Sequence, residues 1–194
     1  MYSNKIIVAG FGGQGALRIG QMLAVAAIDL GYEAEWLPSY GAEMRGGTAN
    51  CNVTISDSRI PFAMISKADS CIIMNDMSME KFADKLKSEG ILLVNSDMVT
   101  VPSGREDVRE YFVPSDTIAE KNGNPRGSNM VLLGAYLAIT KKIKLESVYR
   151  IIENSFTGSK TKYVEPNKNC VKDGFDCIVQ QQRNQAEENN GKIL

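Results

Sequence analysis

Apolar and polar positions change register several times along the chain, and each change marks an element. Residues 5–9 (KIIVA) form a short β-branched apolar run that ends at Gly10 and predicts a buried first strand. Residues 14–30 contain no proline. They repeat Leu17, Met22, Leu23, Ala26 and Ala27 near helical spacing, with Gly31 placed as a C-terminal cap. Residues 34–37 predict a second strand, stopped by Pro38, and residues 38–47 (PSYGAEMRGG) predict a loop. Thr48–Ser56 alternates and is β-branched, so it predicts a strand near a sheet edge or facing something other than helices. Residues 70–74 and 91–95 predict two more buried strands, with a helix over 79–87 between them, and Arg109–Val113 predicts a short strand. Three later helices are predicted over 128–141, Leu145–Ser155 and 166–188, after which the chain turns polar.

This order of strand, glycine turn, helix and strand opens a βαβ unit. The expected fold is a three-layer α/β/α sandwich with a mixed, mostly parallel sheet and a Rossmann-like first βα turn. Residues 1–188 are expected to form one domain and 189–194 a polar tail.

Composition narrows the chemistry. The chain has 194 residues, a net charge of −1 and no histidine. Near-neutral charge provides no field to draw it onto nucleic acid or an anionic membrane. No apolar stretch is long enough to span a bilayer, and no signal peptide is read at the start, so a cytoplasmic location is expected. Without histidine the usual general base and metal ligand are missing. Cys51, Cys71, Cys170 and Cys177 match no zinc or iron–sulfur spacing and are expected as reduced thiols, mostly buried.

Three segments can carry binding chemistry. Gly10-Phe11-Gly12-Gly13-Gln14-Gly15 fits GxGxxG between a strand and a helix, where bare backbone and free helix N–H groups favour an anion. The same glycines can equally serve a tight turn that packs helix on strand. A dinucleotide site wants a carboxylate at the end of the second strand, and residues 37–39 (LPS) supply none. A triphosphate loop wants Lys-Ser or Lys-Thr, and Gly15 is followed by Ala16 and Leu17. In the second segment, Arg45 beside Gly46 and Gly47 offers a guanidinium fork for phosphate or carboxylate, or else a pair with Glu43. In the third, residues 124–129 (NPRGSN), Arg126 adds a cation before a helix whose N-cap is Ser128 or Asn129.

Together these segments resemble the gamma subunit of the 2-oxoacid:ferredoxin oxidoreductases. The resemblance runs through GFGGQG at 10–15, WLPSYGAEMRGGTANC at 36–51 and NPRGSNMVLLGA at 124–135, with a fainter echo in Asn167 and Gly174. The SYGAEMRGG form resembles the 2-oxoglutarate branch most; pyruvate and branched-chain 2-oxoacid relatives stay open. The resemblance implies a non-catalytic subunit of an enzyme that oxidatively decarboxylates a 2-oxoacid to an acyl-coenzyme A and reduces ferredoxin. It implies partner alpha, beta and ferredoxin-like delta subunits. Thiamine diphosphate, Mg2+ and [4Fe-4S] clusters would be held by those other chains. Coenzyme A would be contacted here as a substrate, through Gly10, Gly12, Gly13, Gln14, Gly15, Arg45, Gly46, Arg126 and Asn129. Two alternatives are an indolepyruvate oxidoreductase small subunit and a stand-alone dinucleotide-binding oxidoreductase.

Overall fold

A computed structural model of the chain describes residues 2–40, 48–61 and 65–191. The strands β1 (Ser3–Phe11), β2 (Glu33–Tyr40), β3 (Thr48–Ser56), β4 (Ala68–Ile73), β5 (Leu86–Asn95) and β6 (Arg109–Val113) form one sheet in the order β2-β3-β1-β4-β5-β6. β3 pairs antiparallel with both β1 and β2, and every other pairing is parallel, so β3 alone runs against the rest. The helices are α1 (Ala16–Asp29), α2 (Asp76–Phe82), α3 (Ser115–Lys121), α4 (Ser128–Thr140), α5 (Leu145–Ser155) and α6 (Val164–Gly191). The expected mixed, mostly parallel α/β sheet is the one observed.

Alternate residues of each strand enter opposite cores, as the two-residue period demands. Ile6 and Val8 join Cys51, Val53, Ile72 and Leu93 against α1, α4 and α5. Ile7 and Ala9 join Cys71, Ile73, Leu92 and Val94 against Met79, Phe82 and Ala83. The two outer layers are unequal. One carries α1 and α3–α6; the other carries α2, a 3₁₀ turn at Ala83–Lys85 and the coil around Val99, Val101 and Val108. β3 lies one place in from the edge, and its apolar Ala49, Cys51, Val53 and Ile55 alternate with Asn50, Asn52, Thr54 and Ser56, as expected of a strand near an edge.

Several boundaries move. β2 continues through Pro38 to Tyr40, because it is the edge strand and a missing N–H costs nothing on the unpaired side. The helix expected over 79–87 starts earlier, at Asp76, because the Asn75 side chain accepts the Ser78 N–H at 2.9 Å. It ends earlier as well, and β5 begins at Leu86 with Glu89 at φ 60°. α3 is an element the hydrophobic pattern gave no sign of. α6 runs on through Gly191, so residues 189–191 of the polar tail are helical.

Two devices fix α4. At the sheet end away from the glycine turn, Asn4 Nδ2 donates to Tyr136 Oη (2.9 Å), Tyr136 donates to Ser70 Oγ (3.1 Å), and Ser70 donates to Asn4 Oδ1 (3.4 Å). Burial pushes the Tyr136 phenol well above its ordinary pKa, so it stays a neutral donor in this closed triangle. On its other side α4 crosses α6 at a reciprocal glycine pair. A Cβ on Gly134 would overlap the Val171 carbonyl, and one on Gly174 would overlap the Val131 carbonyl.

Candidate functional site

The chain leaves β1 for α1 and β2 on one side of the sheet and returns at β4 on the other. The carboxyl ends of β1 and β4 therefore flank a topological switch point, the place where open α/β sheets leave a crevice. Residues 10–15 turn there. Gly13 (φ 100°) and Gly15 (φ 84°) hold backbone conformations that side chains rarely adopt.

Gln14 buckles the turn to the sheet. Its Oε1 accepts the Phe11 N–H (2.6 Å) and Asn75 Nδ2 (2.8 Å), and its Nε2 donates to the Met74 carbonyl (3.3 Å). The side chain expected to meet a ligand is thus engaged with the protein, and it shapes the turn. The four glycines then divide. A Cβ at Gly10 would sit 2.9 Å from Gln14 Oε1 and 3.1 Å from Met74 Cβ, and one at Gly15 would overlap the Asn129 amide. At Gly12 and Gly13 a Cβ would meet nothing within 4 Å. Both readings of the motif therefore hold, each for two of its glycines.

Neither helix at this turn has a side-chain cap. α1 begins after Gly15 and α4 after Gly127, so Ser128 and Asn129, expected as N-cap candidates, are the first two helical residues of α4. Among the described residues, the N–H groups of Gly12, Gly13, Gly15, Ala16, Leu17, Ser128 and Asn129 have no acceptor. Two helices of 14 and 13 residues thus bring unsatisfied donors to one spot, where Asn129 packs on Gly15. Asn129 is only 7% exposed, and its side-chain amide has no hydrogen-bond partner among the described residues.

The cations gather around this spot. A cavity of about 690 Å³ is bounded by Arg18, Arg126, Asn129, Met130, Phe156 and Lys160, with no carboxylate in its wall. None of its three cations is ion-paired among the described residues; Arg18 donates only to Gln21 Oε1 (2.9 Å). Burial pulls the Arg18 guanidinium below its ordinary pKa, a sign that it is partly stripped of water without a counter-charge. On the other side of Arg126 a cavity of about 430 Å³ contains Gly13, Gln14, Ser128 and Asp116. The Asp116 carboxylate accepts from Asn95 Nδ2 (2.7 Å) and Ser128 Oγ (3.2 Å), which places negative charge on that side.

The expected residues therefore converge in part. Gly10, Gly12, Gly13, Gln14, Gly15, Arg126 and Asn129 meet at one corner of the sheet. Arg45 and Gly46 lie outside the described residues. Arg18, Lys160 and Asn167 were not anticipated. Asn167 Oδ1 accepts from Asn124 Nδ2 (2.9 Å), while its own Nδ2 donates to the Tyr163 carbonyl (2.8 Å), so α6 holds the loop that carries Arg126. The faint Asn167–Gly174 echo in the sequence marks the two points where α6 sets this site and α4.

Elsewhere, a cavity of about 420 Å³ at the opposite sheet end contains charges that are already satisfied: Lys87 pairs with Asp69 (2.5 Å), and Arg109 Nε donates to the Glu89 carbonyl (3.2 Å). Burial raises Cys51 and Cys170 to about 11 and Cys71 to about 12, so these thiols stay protonated. All four cysteines are free. Among the described residues no three His, Cys, Asp or Glu side chains cluster to hold a metal ion, and no helix is long and apolar enough to cross a membrane.

Known proteins share this arrangement. Residues 5–177 match the family model of pyruvate ferredoxin/flavodoxin oxidoreductase. The ketoisovalerate oxidoreductase subunit VorA of Methanothermobacter thermautotrophicus is 36% identical over 89% of this chain, which spans only 36% of that protein's length. The 2-oxoglutarate synthase subunit KorC of Methanocaldococcus jannaschii is 36% identical over 78% of this chain and 82% of its own. The structure of the keto/oxoacid ferredoxin oxidoreductase gamma subunit from Geobacter sulfurreducens superposes with a TM-score of 0.77 at 29% identity, over 91% of this chain and 99% of that one. The 2-oxoglutarate:ferredoxin oxidoreductase from Magnetococcus marinus, solved with 2-oxoglutarate, coenzyme A and succinyl-CoA bound, shares the fold at a TM-score of 0.85 and 24% identity, over 93% of this chain and 32% of that one. With a six-stranded mixed sheet, an open glycine turn and a family match across most of its length, the chain belongs to the pyruvate ferredoxin/flavodoxin oxidoreductase family.

Proposed function

We propose that this chain is the gamma subunit of a 2-oxoacid:ferredoxin oxidoreductase and that its glycine turn faces coenzyme A. The acid is taken to be 2-oxoglutarate, because the loop form at 39–47 resembles that branch; ketoisovalerate and pyruvate relatives share the fold and family. Residues 1–188 act as the functional unit, in the cytoplasm, beside alpha, beta and ferredoxin-like delta subunits.

One observation carries the ligand reading: two uncapped helix N-termini meet at Gly15 and Asn129 beside Arg126. Such a corner suits a phosphate group, with N–H donors in front and a guanidinium at the side. Coenzyme A is the phosphate-bearing substrate of the enzymes that the chain resembles, and the Magnetococcus marinus protein of the same fold binds it. In this role the chain performs no bond-breaking step. Its N–H groups and Arg126 bind the anionic part of the coenzyme and orient its thiol end toward the partner subunits. Gln14 keeps the turn in the shape that exposes Gly12 and Gly13.

The cofactors of the complex belong to those partners. The four cysteines do not fit an iron–sulfur cluster, since three of them are held as buried thiols of raised pKa and no ligand group forms among the described residues. In the assembled enzyme, Arg126→Ala is expected to raise the KM for coenzyme A by a factor of about 10–100, the loss of one charge-assisted hydrogen bond. The KM for the 2-oxoacid is expected to stay within about twofold, since only the coenzyme's binding loses free energy. A coenzyme A KM that does not move, with the complex intact, overturns the reading.

A further inference from the structure

The cavity behind Asn129 is larger than a phosphate needs. Its about 690 Å³ lies between the first turn of α1, the start of α4 and the α5–α6 connection. Its wall divides by chemistry. Arg18, Arg126 and Lys160 supply three unpaired cations, while Met130 and Phe156 supply an apolar side. Asn129, more than nine-tenths buried, turns an amide with no partner among the described residues into the same space. A buried amide left without a partner costs about 1–3 kcal/mol, so its presence in this wall points to an absent polar occupant. A lone inorganic anion would leave the apolar side empty. A partner's carboxylate would leave most of the volume empty.

From this geometry we propose that the cavity is a nucleotide subsite: Arg18 and Lys160 bind a terminal phosphate, Asn129 hydrogen-bonds the base or ribose, and Phe156 with Met130 supports the ring. The proposal rests on the coenzyme A reading and extends it. Arg126, shared by both cavities, marks where a ligand lying across the glycine turn would pass into this one. The phosphoadenosine end of coenzyme A and a free adenine nucleotide share this chemistry, and the choice of probe separates them.

The test titrates the full-length chain calorimetrically with adenosine 3′,5′-bisphosphate, AMP, pantetheine and inorganic phosphate. The bisphosphate is expected to bind about tenfold more weakly to Arg18→Ala and about three- to fivefold more weakly to Lys160→Ala, each losing a charge-assisted contact. Phe156→Leu is expected to lose several-fold, since a flat ring support is replaced by a branched one. Thermal unfolding checks that each variant keeps the fold, and Arg18→Lys is expected to restore part of the affinity. Inorganic phosphate is expected to bind at least about 30-fold more weakly than the bisphosphate, because it leaves the apolar side bare. Pantetheine binding is expected to ignore all three substitutions.

AMP binding as tightly as the bisphosphate identifies a free nucleotide as the occupant and overturns the assignment to the coenzyme's end. Unchanged bisphosphate affinity in Arg18→Ala overturns the subsite itself. So does a variant that dissociates from its partner subunits while binding nucleotide normally, which would make Arg18 a docking residue. Because no turnover is read, the two proposals fail separately. A coenzyme A KM unmoved by Arg126→Ala sinks the coenzyme reading, and unchanged nucleotide titrations sink this one.

Discussion

Glycine does opposite work at two places in this molecule. At the α4–α6 crossing, Gly134 and Gly174 let two helix backbones touch, and the room that a side chain would need is filled by the neighbour's carbonyl. In the turn after β1, Gly12 and Gly13 lack a side chain although the space beside them is empty. The first absence is explained by packing inside the chain. The second is not, and so points outward, to something that approaches the backbone. Gly10 and Gly15 belong with the crossing in this respect, filled by Gln14, Met74 and Asn129.

The contrast can be broken by alanine, one position at a time. Gly134→Ala or Gly174→Ala should force the helices apart against backbone atoms that cannot rotate away. A loss of about 3 kcal/mol or more is expected in denaturant unfolding, at or above the upper end of overpacking costs. A smaller loss at Gly15→Ala, about 2 kcal/mol, should combine left-handed strain with a clash that the Asn129 amide can partly relieve. Gly13→Ala meets no neighbour, so backbone strain alone should cost about 1–2 kcal/mol. Gly12→Ala is the sharpest case. Its stability should stay level or rise by up to about 1 kcal/mol, because the unfolded chain loses freedom. Its coenzyme A KM in the assembled enzyme should nevertheless rise several-fold, since a methyl group would stand where the ligand's approach is open. A Gly12→Ala enzyme with unchanged kinetics would place all four turn glycines with the crossing.

Much of this was legible in the residues. The bare strand-turn-helix signature located the switch point, and the alternation in Thr48–Ser56 announced a strand that faces different neighbours on its two sides. Three features were not. Arg18 follows Leu17 on a helix and reads as an ordinary solvent-facing charge; only the approach of the α5–α6 connection gives it a cavity wall. β2 was cut short at Pro38 because a local rule cannot know that the strand is an edge. The first turn of α4 was expected to hold its own cap, yet Ser128 spends its hydroxyl on Ser115 (2.7 Å) and Asp116, partners from a helix the pattern did not reveal. Each miss is a tertiary contact overriding a local preference. The glycines of the crossing look in sequence like any mid-helix glycine, and their partner backbone lies about forty residues away.

The Gln14 buckle gives the turn a built-in reference for amide exchange with solvent deuterium. The Phe11 N–H is tied to Gln14 Oε1 whether or not a ligand is present, so its exchange should be slow in both states. The Gly12, Gly13 and Ala16 amides, without acceptors among the described residues, should exchange fast in the free chain and slow down when an anion sits before them. Neighbouring residues thus carry the signal and its control in a single spectrum, and the difference between them reports occupancy of the turn with no measurement of turnover.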